Sequence, residues 1–138
     1  MKLLTQLNFP GNCAQAFDYY EKNLGGKLIM LMRQSQAPDS PKASSGTDPV
    51  IHARLALGES VLLGNDVPPD RFQPIRSTYL YLAANSAGDA ERIYEVLRHG
   101  GEVFMPLQET FYASRFSQLR DQFGVLWSLI HERAMPSA

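Results

Sequence analysis

The feature that most restricts what this chain can fold into is an internal echo. The segment GNCAQAFDYYEKNLGGKLIM, starting at Gly11, returns about 75 residues later as SAGDAERIYEVLRHGGEVFM, starting at Ser86. In both copies an amphipathic helical pattern closes on paired glycines, Gly25-Gly26 and Gly100-Gly101, and then runs into an apolar stretch. A repeat of this length means one supersecondary unit used twice. With 138 residues the chain suffices for one sizeable core and is short for two ordinary domains. The expectation is a single domain, 1–138, built from a first module at 1–66 and a second at 75–133.

The pattern fills in each module. Lys2 to Phe9, with Leu3, Leu7 and Phe9 among polar positions, predicts a strand. Asn12 then stands where it can cap a helix beginning at Cys13, in which Ala16, Phe17, Tyr20 and Leu24 recur at helical spacing. Leu28 to Met32 predicts a second strand. Ser35 to Pro49 has no periodicity and is rich in Ser, Pro and Ala, which predicts a mobile surface loop, a lid or an intersubunit arm. Ile51, Ala53, Leu55 and Leu57 alternate with His52, Arg54 and Ala56, and Gly58-Glu59 turns the chain into Ser60 to Leu63. After a Pro-rich connector, Val67 to Pro74, the order repeats. Thr78–Ala83 and Glu102–Met105 read as strands flanking a helix over 87–98. Ser114–Leu119 and Val125–His131 pair around a turn at 121–124. Both halves read strand, helix, strand, strand, strand, an α+β fold of two tandem βαβββ modules.

Several function classes are disfavoured by what the chain lacks. Its net charge is -1 with no run of Lys or Arg, so the basic footprint of a nucleic-acid binder is missing. The N-terminus reaches Thr5 and Gln6 after only two leucines and forms no signal-peptide core, and no apolar stretch is long enough to span a bilayer. The single cysteine, Cys13, excludes an intrachain disulfide and fits a reducing, cytoplasmic setting. Cys13 reads as a small residue at a helix start, with a dipole-activated thiol as the alternative.

The segments LNFPGNCAQAFDYYEKNLGG, IHARLALGESVLLGND, MPLQETFYASRF and DQFGVLWSLI resemble the vicinal oxygen chelate superfamily of glyoxalases, bleomycin-resistance proteins and dioxygenases, and within it the PhnB-like branch. The resemblance implies a glyoxalase-like curved mixed sheet, a cup formed by two modules, and a homodimer. It also implies a divalent metal held by His, Glu or Gln side chains on the first and last strands of each module. Carried over, those positions fall near Leu4 or Gln6, depending on one gap, and on Leu63, Tyr79 and Ser128. Only Gln6 among them is an ordinary ligand, so no metal or other cofactor is expected. Some PhnB-like members carry a demethylubiquinone methyltransferase label. Methyl transfer from S-adenosylmethionine usually needs a Gly-rich strand-to-helix turn, and here both glycine pairs follow helices instead.

What remains is a set of polar side chains expected on the concave face. Gln6, Asn8, His52 and Arg54 alternate with the apolar positions of their strands. Tyr79 and Tyr81 share the same face of theirs, and the stretch 106–111 would carry Gln108 and Glu109 to the rim, followed by Phe111, Tyr112 and Arg115. His52 and Glu109 are the candidate acid/base pair. Arg54 or Arg115 could hold a carboxylate or phosphonate through two parallel hydrogen bonds. Each has a plainer reading: a hydrogen-bonded structural His52, a Glu109–Arg115 pair pinning a loop, and a Trp127 in the core by its alternation with Val125 and Leu129. The expected function is binding of a small polar or aromatic molecule without the usual metal. The alternative is a metal-dependent lyase, isomerase or dioxygenase with atypical ligands such as His52 and Glu109.

Overall fold

The computed structural model describes residues 1–38 and 47–133. They divide into two compact units, with the boundary between Gln73 and Pro74. The first contains β1 (Thr5–Phe9), α1 (Cys13–Asn23), β2 (Lys27–Arg33), β3 (Val50–Leu57) and β4 (Ser60–Asp66); the second contains β5 (Leu80–Ala83), α2 (Ala87–Arg98), β6 (Glu102–Gln108), β7 (Ala113–Arg120) and β8 (Leu126–Glu132). Each unit is a four-stranded mixed sheet, ordered β1-β4-β3-β2 in one and β5-β8-β7-β6 in the other. The first and last strands of each unit pair in parallel and the remaining pairs are antiparallel. The expected α+β repeat is therefore present, as two separate sheets.

The helices form because their apolar residues recur on one side. Cys13, Ala16, Phe17 and Tyr20 are buried along α1, and Ala90, Ile93 and Leu97 along α2. Ser86 caps α2, its hydroxyl accepting the Asp89 amide at 3.0 Å. Asn12 does not cap α1 as expected: its side chain makes no cap bond and its Oδ1 is buried without a partner. The Asp66 carboxylate does the work instead, accepting the Cys13 amide at 2.9 Å through Oδ1 and the Val50 amide at 2.9 Å through Oδ2. A carboxylate from the end of β4 thus meets the positive end of the α1 dipole.

Both helices stop as the glycine pairs predict. Gly25 and Gly100 adopt φ +73° and +70°, the left-handed conformation favoured by glycine, and the next glycine in each pair lies against the sheet. A Cβ at Gly26 would sit 2.9 Å from the Ala56 carbonyl, and one at Gly101 would collide with that of Arg120.

The strands depart from the simple alternation at bulges. Arg33 pairs with Val50 but Met32 with His52, so Ile51 is an extra residue, 40% exposed, and Val50 takes the buried position expected of it. Ile29 and Phe104 are extra in β2 and β6, at equivalent places in the two units. Leu3 precedes β1 and is exposed, and Thr78 and Tyr79 precede β5. Pro106–Gln108 continue β6 rather than forming a loop, which an edge strand tolerates because the missing proline N–H costs no central ladder bond. The stretch Ser35–Pro49 is tied at its ends: Gln34–Gln36 form a 3-10 turn, and Asp48 accepts the Ser35 amide at 2.9 Å and hydroxyl at 2.5 Å. Those bonds hold the Asp48 carboxyl below its ordinary range. Its positions 39–46 lie outside the described residues.

In the second unit β8 is buried from Leu126 to Ile130. Trp127 is in the core as expected, and its indole Nε1 donates to Asp121 Oδ2 at 2.9 Å.

Candidate functional site

In the first unit the pairing decides which side chains share a face. Gly64 approaches α1, where a Cβ would lie 2.6 Å from the Phe17 ring. Leu7 and Ala53 pair with Gly64 and so face the helix, leaving their neighbours on the opposite side. Across the four strands this opposite face carries one row of Gln6, Leu63, Arg54 and Met30, with Asn8 beside Asn65 and His52 beside Met32 in the next. The four residues picked from the sequence, Gln6, Asn8, His52 and Arg54, do share this face.

They are also connected. Gln6 Nε2 donates to Asn65 Oδ1 at 2.8 Å and to Asn8 Oδ1 at 3.4 Å. Arg54 Nε donates to His52 Nε2 at 3.2 Å. An Nε2 that accepts leaves the imidazole proton on Nδ1, so His52 could act as a base through Nε2 only after releasing Arg54. Asn65 was not singled out in the sequence, although its period-two spacing from Leu63 carries the signal.

The corresponding row of the second unit is Tyr81, Ser128, Gln118 and Met105. Ser128 pairs with Tyr81, as Leu63 pairs with Gln6, so the position equivalent to Gln6 is Tyr81 and not Tyr79. Tyr79 is half-buried just before β5. Tyr81 donates to Glu132 Oε1 at 2.6 Å, and that bond is the main reason its phenol is pushed up to about 12. Gln118 Nε2 donates to the Ser128 hydroxyl at 3.1 Å.

The remaining candidates have other partners than expected. Glu109 pairs with Arg133 at 3.0 Å, and Arg115 holds Glu91 of α2 through Nε and Nη2 at 3.0 and 2.8 Å. The anticipated Glu109–Arg115 pair is absent because β6 runs on to Gln108 and Arg115 turns toward the helix. Tyr112 stacks edge-on between Phe111 and Phe116, with centroids 5.0 and 5.7 Å away, over buried Ala113 and Ile130. Nothing in the local pattern announces that Ser114 Oγ lies 2.5 Å from His131 Nδ1, a contact made at a bulge in β7. His52 lies in the first unit and Glu109 in the second.

These residues do not fit the divalent metal that the resemblance implies. Of the row positions on first and last strands, Leu63 has no donor atom, Gln6 is committed to two asparagines, Ser128 to Gln118, and Tyr81 to Glu132. None is a carboxylate or an imidazole, the usual anchors of such ions. Among the described residues, no group of three or more His, Cys, Asp or Glu could hold a metal ion. Likewise none of their helices is long and apolar enough to cross a membrane.

Two sheets of parallel-closed βαβββ topology, repeated within one chain, define a class, and the family model confirms it. The chain belongs to the Glyoxalase/Bleomycin resistance protein/Dioxygenase superfamily, whose model matches residues 7–129. Among its relatives is protein YjdN of Escherichia coli K12, 27% identical over 146 residues that cover 99% of each chain. The crystal structure of protein PA1353 from Pseudomonas aeruginosa is 35% identical, covers 97% of this chain and 99% of its own, and superposes with a TM-score of 0.86. A PhnB protein from Bacillus cereus shares the fold, with a TM-score of 0.79 at 22% identity, covering 95% of this chain and 99% of its own.

Proposed function

We propose that this protein binds a small polar or aromatic molecule on the polar faces of its sheets without a resident metal, and that it does so as a cytoplasmic homodimer. The observation that carries the reading is the chemistry of the Gln6–Leu63 and Tyr81–Ser128 pairs: where the superfamily places metal ligands, this chain has an amide, an isobutyl group, a phenol and a hydroxyl. Such groups coordinate divalent ions weakly and suit hydrogen bonding to a neutral or ionic organic molecule. The rest of each row adds Arg54 and Gln118, flanked by Met30 and Met105, whose flexible thioethers mould to an apolar ligand surface.

Elemental analysis of protein purified without added metal, followed by calorimetric titration with Ni, Zn, Mn and Fe, tests this. Substoichiometric metal and no saturable binding are expected. One tightly held ion per chain, lost in His52→Ala or Glu109→Gln, would establish the metal-dependent enzyme instead. Light scattering should return twice the 15.4 kDa chain mass.

A further inference from the structure

The polar face of the first unit has an excess of hydrogen-bond donors. Most of its side-chain acceptors are in use: Asn8 and Asn65 Oδ1 both receive Gln6 Nε2, and His52 Nε2 receives Arg54 Nε. Its main donor is not: among the described residues Arg54 forms no ion pair, and its one hydrogen bond uses Nε, leaving the two Nη groups of the fork. The second-unit strand arginines are satisfied differently. Arg115 is neutralised by Glu91, and Arg120 Nη1 is held by the Ile75 and Gly124 carbonyls at 3.3 and 3.0 Å. Arg54 is half-buried in the β3 row between Leu63 and Met30, and so has lost water without gaining a counter-charge. A half-buried cation facing neutral groups is stabilised by an anion that brings two oxygens to its fork.

We infer that Arg54 is an anion-binding residue, taking the oxyanion of a small organic acid, a carboxylate or phosphonate, whose apolar body lies along Leu63, Met30 and Met32. His52 is its positioning residue, holding Nε so that the fork points away from the sheet. The inference rests on the metal-independent reading above and names its ligand class.

Titration of metal-free protein in EDTA with benzoate and phenylphosphonate, against neutral benzamide and against acetate and inorganic phosphate, tests it. The aromatic oxyanions should bind most tightly, the tighter of the two identifying the headgroup, and benzamide at least about tenfold more weakly, the ratio a charge-assisted hydrogen bond supplies. Arg54→Gln should weaken the oxyanions by about tenfold or more, Arg54→Lys by less, and Arg98→Gln, at the far end of α2, not at all. His52→Gln, which keeps an acceptor for Nε, should retain affinity that His52→Ala loses, with unchanged melting temperatures. Equal binding by wild type and Arg54→Gln, equal binding of benzoate and benzamide, or no oxyanion binding at all would overturn the inference while leaving metal independence intact. Oxyanion binding that appears only when Zn or Ni is added would instead overturn the metal-free reading.

Discussion

Asp121 offers a test of what holds the second unit together. Its carboxylate is only 4% exposed and accepts three N–H groups: Phe123 at 2.9 Å and Val125 at 3.0 Å through Oδ1, and the Trp127 indole at 2.9 Å through Oδ2. Of these donors, Val125 and Trp127 are buried and Phe123 is half-exposed in the turn. Asp121→Ala strands the two buried donors, each at about 1–3 kcal/mol, for a loss of roughly 4 kcal/mol. Asp121→Asn keeps an oxygen for the turn amides but presents an NH2 to the indole N–H, a loss of about 2 kcal/mol. Trp127 is the only tryptophan, so urea unfolding followed by its fluorescence reports on this unit directly. With an m-value of about 2 kcal/mol/M, the midpoints should fall by about 1 M for Asn and 2 M for Ala. In a Trp127→Phe background, followed by circular dichroism, the Asn cost should shrink by about 1 kcal/mol because the opposed donor is gone. An Ala midpoint indistinguishable from wild type at unchanged m would refute the reasoning.

Two further outcomes follow from burial and charge. Cys13 is fully buried, and desolvation, with the nearby Asp66 charge adding, pushes its thiol up to about 12. At pH 8 native protein should resist a disulfide exchange reagent and react at once in denaturant; fast native reaction would contradict the burial. Because the folded thiol holds its proton more tightly than the unfolded one, its stabilising contribution is complete below about pH 9 and fades as pH rises toward 12. Tyr81 behaves alike over pH 10 to 12: among the six tyrosines, the tyrosinate absorbance step near pH 12 should vanish in Tyr81→Phe and move down in Glu132→Gln.

Local pattern carried much of this fold into view. Helix α2 runs over the predicted 87–98, and both glycine stops adopt the left-handed conformation because a helix ending there requires it. The polar set Gln6, Asn8, His52 and Arg54 was legible because strands alternate strictly between bulges. The failures are nonlocal. Ile51 falls on the apolar side of the alternation because nothing in VIHARLAL marks where β2 skips a residue, and the bulge puts Val50 in the buried place instead. Asn12 looked like a cap because its type and place are right, yet Asp66, remote in sequence, outcompetes it with a full charge. Ion-pair partners follow the same rule: Arg133 and Glu91 claim Glu109 and Arg115 from 24 residues away, a choice set by sheet register rather than by sequence proximity.

The repeat bears on function through what it keeps and what it changes. The Ile29 and Phe104 bulges, the Gly25 and Gly100 stops and the two cross-strand rows are superimposable features of one backbone plan. On that common plan the first row reads amide, leucine, guanidinium and thioether, and the second reads phenol, hydroxyl, amide and thioether. Only the methionine is shared. Because the backbone positions match, the difference in what each row can bind belongs to the side chains alone: the first row is cationic through Arg54, the second neutral with its phenol and hydroxyl already paired. Exchanging Arg54 and Gln118 should therefore move oxyanion affinity out of the first unit without altering either helix or sheet, since the two positions hold equivalent places in their ladders, Arg54 opposite Leu63 and Gln118 opposite Ser128.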